Sequence, residues 1–164
     1  MTNMLSVMNA TRWLEPHEQH AWRAYLEATR LLVRTLDNQL IRDAGISFSD
    51  FELLVVLSEA PERRLRMSEL ADAVTTTRSG VTRATSRLVD AGWVVRVKFE
   101  DDKRGMSAAL TDAGMAKLTA ASPGHVAAVR ENMFDLLSVD DVDAIGRGYQ
   151  RMREHMSGKS GTDR

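Results

Sequence analysis

Guanidinium and hydroxyl side chains crowd one short stretch of the chain: Thr77, Arg78, Ser79, Thr82, Arg83, Ser86 and Arg87. Their spacing places them on one face of a helix, while Val81, Ala84 and Leu88, at i, i+3 and i+7, make the opposite face apolar. Forked guanidinium groups donate paired hydrogen bonds to planar acceptors and neutralise phosphate, and hydroxyls bond at the same surfaces. That is the chemistry of a nucleic-acid surface. In a major groove, Arg78 or Arg83 suits the acceptor edge of guanine and Thr82 a thymine methyl. Arg87 is open between two roles, a DNA contact or an ion pair with Asp90 or Asp102.

A second charged group follows at Lys98, Asp102, Lys103 and Arg104. Arg104 is placed to enter a minor groove, where positive side chains are drawn to narrow A·T-rich segments. Taken alone, such a group is an ordinary solvated hairpin tip. Its meaning comes from the elements around it.

Those elements have clear local signals. Ser68 is expected to cap a short helix carrying Leu70 and Val74 inward, and Thr75, Thr76 and Thr77 to end it. The polar helix then runs to about Ala91, where Gly92 suits a left-handed closing residue. A β-branched and aromatic strand over 93–99, a polar tip over 100–105 and a return strand over 106–110 complete a hairpin. Within the polar helix, Gly80 costs about 1 kcal/mol relative to alanine, and it serves either close approach to phosphate or nothing. Upstream, Ser47 with Asp50 starts a helix over 48–59 that Pro61 ends. Arg63, Arg64 and Arg66 then lie on a linking segment, with a brief strand possible, as phosphate contacts or as a solvated loop.

The outer segments carry long apolar stripes. On a helix over 17–44, Trp22, Leu26, Thr29, Val33, Leu36 and Leu40 alternate spacings of 4 and 3. The same pattern recurs at Val142, Ile145, Tyr149, Met152 and Met156, on a helix whose Ser138 and Asp141 have the character of a capping box. Between them a helix over 112–137 contains Pro123-Gly124, where a break or kink is expected. These stripes either cover a monomer's core or meet a second copy.

The string Leu70-Ala71, Val81-Thr82-Arg83, Arg87-Leu88, Gly92-Trp93-Val94, Asp102-Lys103-Arg104 and Leu110-Thr111-Asp112-Ala113-Gly114 resembles the MarR family of bacterial regulators. The resemblance implies a mainly α fold with a small β-hairpin wing, a winged helix-turn-helix flanked by N- and C-terminal dimerisation helices. The organisation it implies is a disordered tail at 1–10, an N-terminal dimerisation helix at 11–45, the DNA-binding domain at 46–111, C-terminal dimerisation helices at 112–157 and a disordered tail at 158–164. It further implies a homodimer on double-stranded DNA, at a pseudo-palindromic operator. Asp102 would orient an arginine, with Lys98 and Lys103 on phosphates. Such proteins commonly bind a small aromatic effector in a cleft, for which Trp22, Tyr25, Arg30, Phe48 and Phe51 are the candidates, and Trp13 a further one. Repressor function is expected, the sign depending on where the operator lies.

Composition is compatible with this reading. A net charge of −1 conceals an uneven distribution: residues 1–61 carry −3, residues 62–104 carry +3 and residues 105–164 carry −1. The positive segment is the one proposed to meet phosphate. No cysteine is present, which fits a reducing compartment and excludes thiolate chemistry. No apolar run reaches the roughly 20 residues of a membrane span, so a soluble, cytoplasmic protein without membrane partner is expected.

Catalytic patterns are missing: the chain has no Gly-rich phosphate loop, no Gly-x-Ser-x-Gly elbow and no His-Glu-x-x-His. No enzyme activity and no cofactor are expected. His17 and His20 could hold a divalent metal with Glu18 or His155 of the partner subunit, but no metal site is assigned, solvent-facing histidines being the commoner case. Two alternatives stay open beside the ligand-responsive regulator. One is a metal-responsive regulator of the same fold; the other is a winged-helix module that binds protein instead of DNA.

Overall fold

Apolar periodicity and end signals divide the chain into helices and a small sheet, in a computed structural model that describes residues 11–74, 78–98 and 106–159, with Arg78 and Lys159 in backbone alone. The described helices are α1 (Pro16–Ala44), α2 (Phe48–Glu59), α3 (Met67–Ala73), α4 (Arg78–Asp90), α5 (Asp112–Asn132) and α6 (Val139–Lys159). Strands β1 (Arg64–Arg66), β2 (Val94–Lys98) and β3 (Met106–Leu110) form an antiparallel sheet in the order β1-β3-β2. Register pairs Val94 with Leu110 and Lys98 with Met106 across the hairpin. The brief strand before α3 is therefore real, with Arg66 opposite Ser107. None of the described helices is long and apolar enough to cross a membrane. The expected tail at 1–10 lies outside the described residues, as does the second tail from 160 onward; α6 itself continues through Gly158 and Lys159.

Two compact units are present, residues 1–34 and 35–164. In the first, Pro16 opens α1 at a position where its missing N–H costs nothing. The Glu15 N–H donates to the Glu18 carboxylate at 2.8 Å, and Trp22 stacks on Tyr25 with ring centroids 5.9 Å apart.

In the second, Leu40, Leu53, Leu54, Leu57, Leu70, Val81, Leu88 and Val94 are almost wholly removed from solvent and form one core. Each such side chain contributes about 1.5–3 kcal/mol by burial. That readily offsets the cost of Gly80 in α4.

Three boundaries differ from the sequence reading. Helix α3 begins at Met67 with Arg66 as its cap residue, because the Glu69 carboxylate accepts the Arg66 N–H at 2.9 Å; Ser68 is an exposed first-turn residue and not the cap. Helix α5 runs unbroken through Pro123 and ends early, at Asn132, where the Met133 N–H reaches the Val129 carbonyl at 3.0 Å. Pro123 sits on an exposed stretch, so the Thr119 carbonyl it leaves unserved is open to water. A 3₁₀ turn at Phe134–Leu136 then leads to α6. There the Ser138–Asp141 capping box forms as expected, with the Asp141 N–H donating to Ser138 Oγ at 3.2 Å and the Ser138 N–H to the Asp141 carboxylate at 3.1 Å.

Candidate nucleic-acid interface

Helix α4 turns one face inward and the other to solvent. Val81, Ala84, Thr85 and Leu88 are buried, whereas Ser79, Thr82, Arg83 and Arg87 are exposed. Arg83 has no ion-pair partner among the described residues. Thr77 lies outside the described residues, and Arg78 is the first residue of the helix. Ser86 is half-buried and donates to the Thr82 carbonyl at 3.0 Å.

Three devices fix where that exposed face points. The first is an ion pair that the sequence reading placed differently. Arg87 reaches neither Asp90 nor Asp102 but Asp50 in the first turn of α2, through Nη2 at 2.6 Å and Nε at 3.2 Å. Asp50 is buried and its own N–H donates to the Ser47 cap at 3.2 Å, which fixes its backbone at the start of α2. Its hydrogen bonds and charge raise the Arg87 guanidinium further above its already high range. Arg87 is thus a brace between α2 and α4 with its side chain still 55% exposed.

The second device is Arg96, which sequence reasoning passed over as a strand residue. From β2 its Nη2 donates to Ser86 Oγ at 2.7 Å, tying the hairpin to the exposed side of α4. Its only signal in the sequence is a position ten residues beyond Ser86 across a glycine turn.

The third device closes the base of the hairpin. Gly92 takes φ +76, the left-handed conformation, which lets the Trp93 N–H return to the Leu88 carbonyl at 2.9 Å. Thr111 then does three things at once. Its N–H donates to the Trp93 carbonyl at 3.1 Å, its hydroxyl donates to the Gly92 carbonyl at 2.8 Å, and its oxygen accepts the Gly114 N–H at 3.0 Å to cap α5. Gly114 is needed because a Cβ there would stand 2.1 Å from the Trp93 carbonyl oxygen. Lys117, one turn on, hydrogen-bonds the Ala44 carbonyl and lies 4.9 Å over the Trp93 ring.

Lys98 ends β2 in solvent, while Asp102, Lys103 and Arg104 lie outside the described residues. Of the three linking arginines, Arg63 pairs with Asp112 at 3.3 Å and Arg64 with Glu62 at 2.8 Å. Each of those two therefore has an acidic neighbour within the chain.

The aromatic candidates divide between the units. Trp22 and Tyr25 are the stacked pair of the first, where Arg30 Nε donates to the Leu26 carbonyl at 3.0 Å. Phe48 and Phe51 of the second line a cleft of about 280 Å³ and pack on His125, whose ring centroid is 4.6 Å from that of Phe51. No group of three or more His, Cys, Asp or Glu side chains among the described residues converges to hold a metal ion.

Comparison with known proteins adds independent weight. A sequence profile described as the MarR family matches residues 44–105. The fold superposes on Sco3205, a MarR family transcriptional regulator from Streptomyces coelicolor solved in complex with DNA, at a TM-score of 0.84 and 46% identity, over 88% of this chain and 91% of that one. AbsC, from the same organism and likewise a MarR family transcriptional regulator, gives a TM-score of 0.83 at 38% identity, over 90% of this chain and 99% of that one. Among curated sequences, the transcriptional repressor YetL of Bacillus subtilis is 33% identical across 111 residues, a match spanning 66% of either chain.

Proposed function

Since this chain belongs to the MarR family of winged-helix regulators, we propose that it acts as a homodimeric, sequence-specific DNA-binding transcriptional repressor that a small ligand releases from a pseudo-palindromic operator. The observation that carries the reading is the division of α4: Val81, Ala84 and Leu88 hold the helix to the core, while Ser79, Thr82 and Arg83 stay in solvent. The Arg87–Asp50 and Arg96–Ser86 bonds support it, since a reading head must be fixed in angle to match base edges. The relative from Streptomyces coelicolor that was solved with DNA carries the same fold at 46% identity.

In this reading Thr77, Arg78, Ser79, Thr82 and Arg83 enter the major groove. Lys98, Lys103 and Arg104 of the wing meet phosphates and the minor groove, with Asp102 orienting Arg104. Arg87 contributes by bracing and Ser86 by holding Arg96. The exposed apolar side chains of α6, Tyr149, Met152 and Met156, support assembly with a second copy, which would set two α4 helices about one helical turn apart along a duplex.

Selection of genomic fragments by the purified protein, followed by fluorescence anisotropy on the recovered sequence across a salt series, tests the proposal. A recovered palindrome bound at least about 10³-fold more tightly than random DNA is expected. Arg83→Ala should weaken that complex by about 1–3 kcal/mol while leaving thermal stability within a few tenths. Weak binding without sequence preference would overturn it.

A further inference from the structure

The joint between α1 and α2 is short and tied across. Gly45, Ile46 and Ser47 alone separate the two helices, and the last turns of α1, from Thr35 on, belong to the same compact unit as α2. Gly45 takes φ +61, which lets the Ile46 N–H return to the Leu40 carbonyl at 3.4 Å and closes α1. Across this turn the Asp37 carboxylate accepts the N–H of Phe48, the first residue of α2, at 2.8 Å and eleven residues ahead. The local cap cannot do that. A cap side chain reaches the second or third helical amide and not the first, and the Ser47 hydroxyl is taken by the Asp50 N–H while its carbonyl is taken by the Phe51 N–H. A carboxylate at that place also meets the positive end of the α2 dipole.

The end of α1 is itself fastened to α5. Lys117 of α5 hydrogen-bonds the Ala44 carbonyl, and Gly124 brings α5 so near that a Cβ there would stand 3.1 Å from Gln39 Nε2. These two helices make one frame, and α5 leads through the 3₁₀ turn to α6, where the second copy is proposed to dock. On the far side of the joint, Asp50, two residues after Phe48, holds Arg87 of α4 through two hydrogen bonds.

Resting on the reading of this chain as a dimeric DNA-binding regulator, we propose that Asp37 is a positioning residue for half-site spacing: by holding the first amide of α2 to the frame, it fixes where each α4 lies in the dimer. Phe51, Leu53, Leu54 and Leu57 keep α2 in the core, but apolar burial is not directional. A hydrogen bond fixes distance and angle together. The precision asked for is fine, since half-sites that slip by one base pair move by only about 3.4 Å along the duplex. Asp37 acts through the Phe48 amide and Asp50, so its substitution should change which spacing is accepted more than which bases are read.

Fluorescence anisotropy of the full-length protein on the recovered palindrome, and on versions with one base pair inserted or removed at its centre, tests the assignment. The parent should lose at least about tenfold in affinity on either altered spacing. In Asp37→Ala the loss should shrink to within about threefold, whereas Asp37→Asn, whose carboxamide oxygen still accepts the Phe48 N–H, should discriminate as the parent does. Each ratio compares one preparation with itself, so a lowered stability or active fraction cancels. Asp37→Leu, which fills the same space without an acceptor, should repeat Asp37→Ala. Parent-like discrimination in either of these, relaxed discrimination in Asp37→Asn, or a parent indifferent to spacing overturns the proposal. Failure of both Asp37→Ala and Asp37→Leu to fold also overturns it, since the bond would then be a requirement of the fold. A parent that selects no palindrome loses the regulator reading and this inference with it; one that selects a palindrome but accepts all three spacings alike loses the inference alone.

Discussion

The winged-helix core and the last helix treat apolar side chains in opposite ways. Around α4 the core is finished within one chain: Val81 and Leu88 are 1% exposed, and the polar face is cross-braced by Asp50 and Arg96. On α6 the stripe is unfinished, with Tyr149 and Met152 each 46% exposed and Met156 58%. A helix whose apolar positions keep a regular spacing yet stay in water would gain burial from the second copy proposed above. One region is closed on itself; the other, in the proposed dimer, closes on a second copy.

The same substitution in the two regions should separate them most sharply. Gly114→Ala drives a methyl to 2.1 Å from the Trp93 backbone oxygen, which cannot rotate away, and should cost about 3 kcal/mol in thermal or urea unfolding. Gly146→Ala on α6 meets nothing within 4 Å and should instead stabilise by about 0.5–1 kcal/mol, through helix propensity. Equal effects from the two would undo the contrast.

Next in size is the α6 stripe itself. Met152→Glu should loosen self-association by about 2 kcal/mol, near thirtyfold, in sedimentation equilibrium. In a chain that needs no partner there, the same change is a surface replacement worth less than about 0.5 kcal/mol. Arg87→Ala should follow at about 1–2 kcal/mol of stability, discounted because the guanidinium is 55% exposed, and leaves the Asp50 carboxylate, 12% exposed, without its fork. DNA affinity should fall with it, although Arg87 spends its donors on Asp50, and a loss of affinity without any loss of stability would make it a direct contact.

The smallest effect is a pH dependence at the start of α6. Hydrogen bonds from Ser138 hold the Asp141 carboxyl below its usual 3.8. A folded value below the unfolded one means stabilisation that is complete above 3.8 and is lost as the pH falls through the lowered folded value. Asp141→Asn should flatten that part of the acid-unfolding curve, and a curve identical to the parent's would show that the cap carries no weight.

Much of the surface proposed to read DNA was legible from residue order. The polar face of α4, the left-handed Gly92 and the β-branched run of β2 each have a local cause, so sequence neighbours were enough. What escaped notice depends on distant partners. Arg87 was read against Asp90 and Asp102, nearby in sequence, while its true partner, Asp50, lies 37 residues away on another helix. Asp50 itself was read only with Ser47, as the signal for a helix start. Ser68 looked like a cap by type, but the Glu69 carboxylate already serves the Arg66 N–H, which moves the helix start forward. Pro123 looked like a breaker, yet a helix with solvent on that side absorbs one lost bond.

The knot at Gly92, Trp93, Thr111 and Gly114 has an evolutionary corollary. Because the two feet of the hairpin are fastened to each other and to the start of α5, the excursion between them is a closed loop whose ends are fixed whatever its tip contains. The entropy of closing such a loop grows only by about 0.6 kcal/mol per doubling of length. Drift in the tip is therefore nearly free for folding, and selection can retune the groove contacts proposed for the wing one residue at a time while the anchoring glycines and threonine stay put.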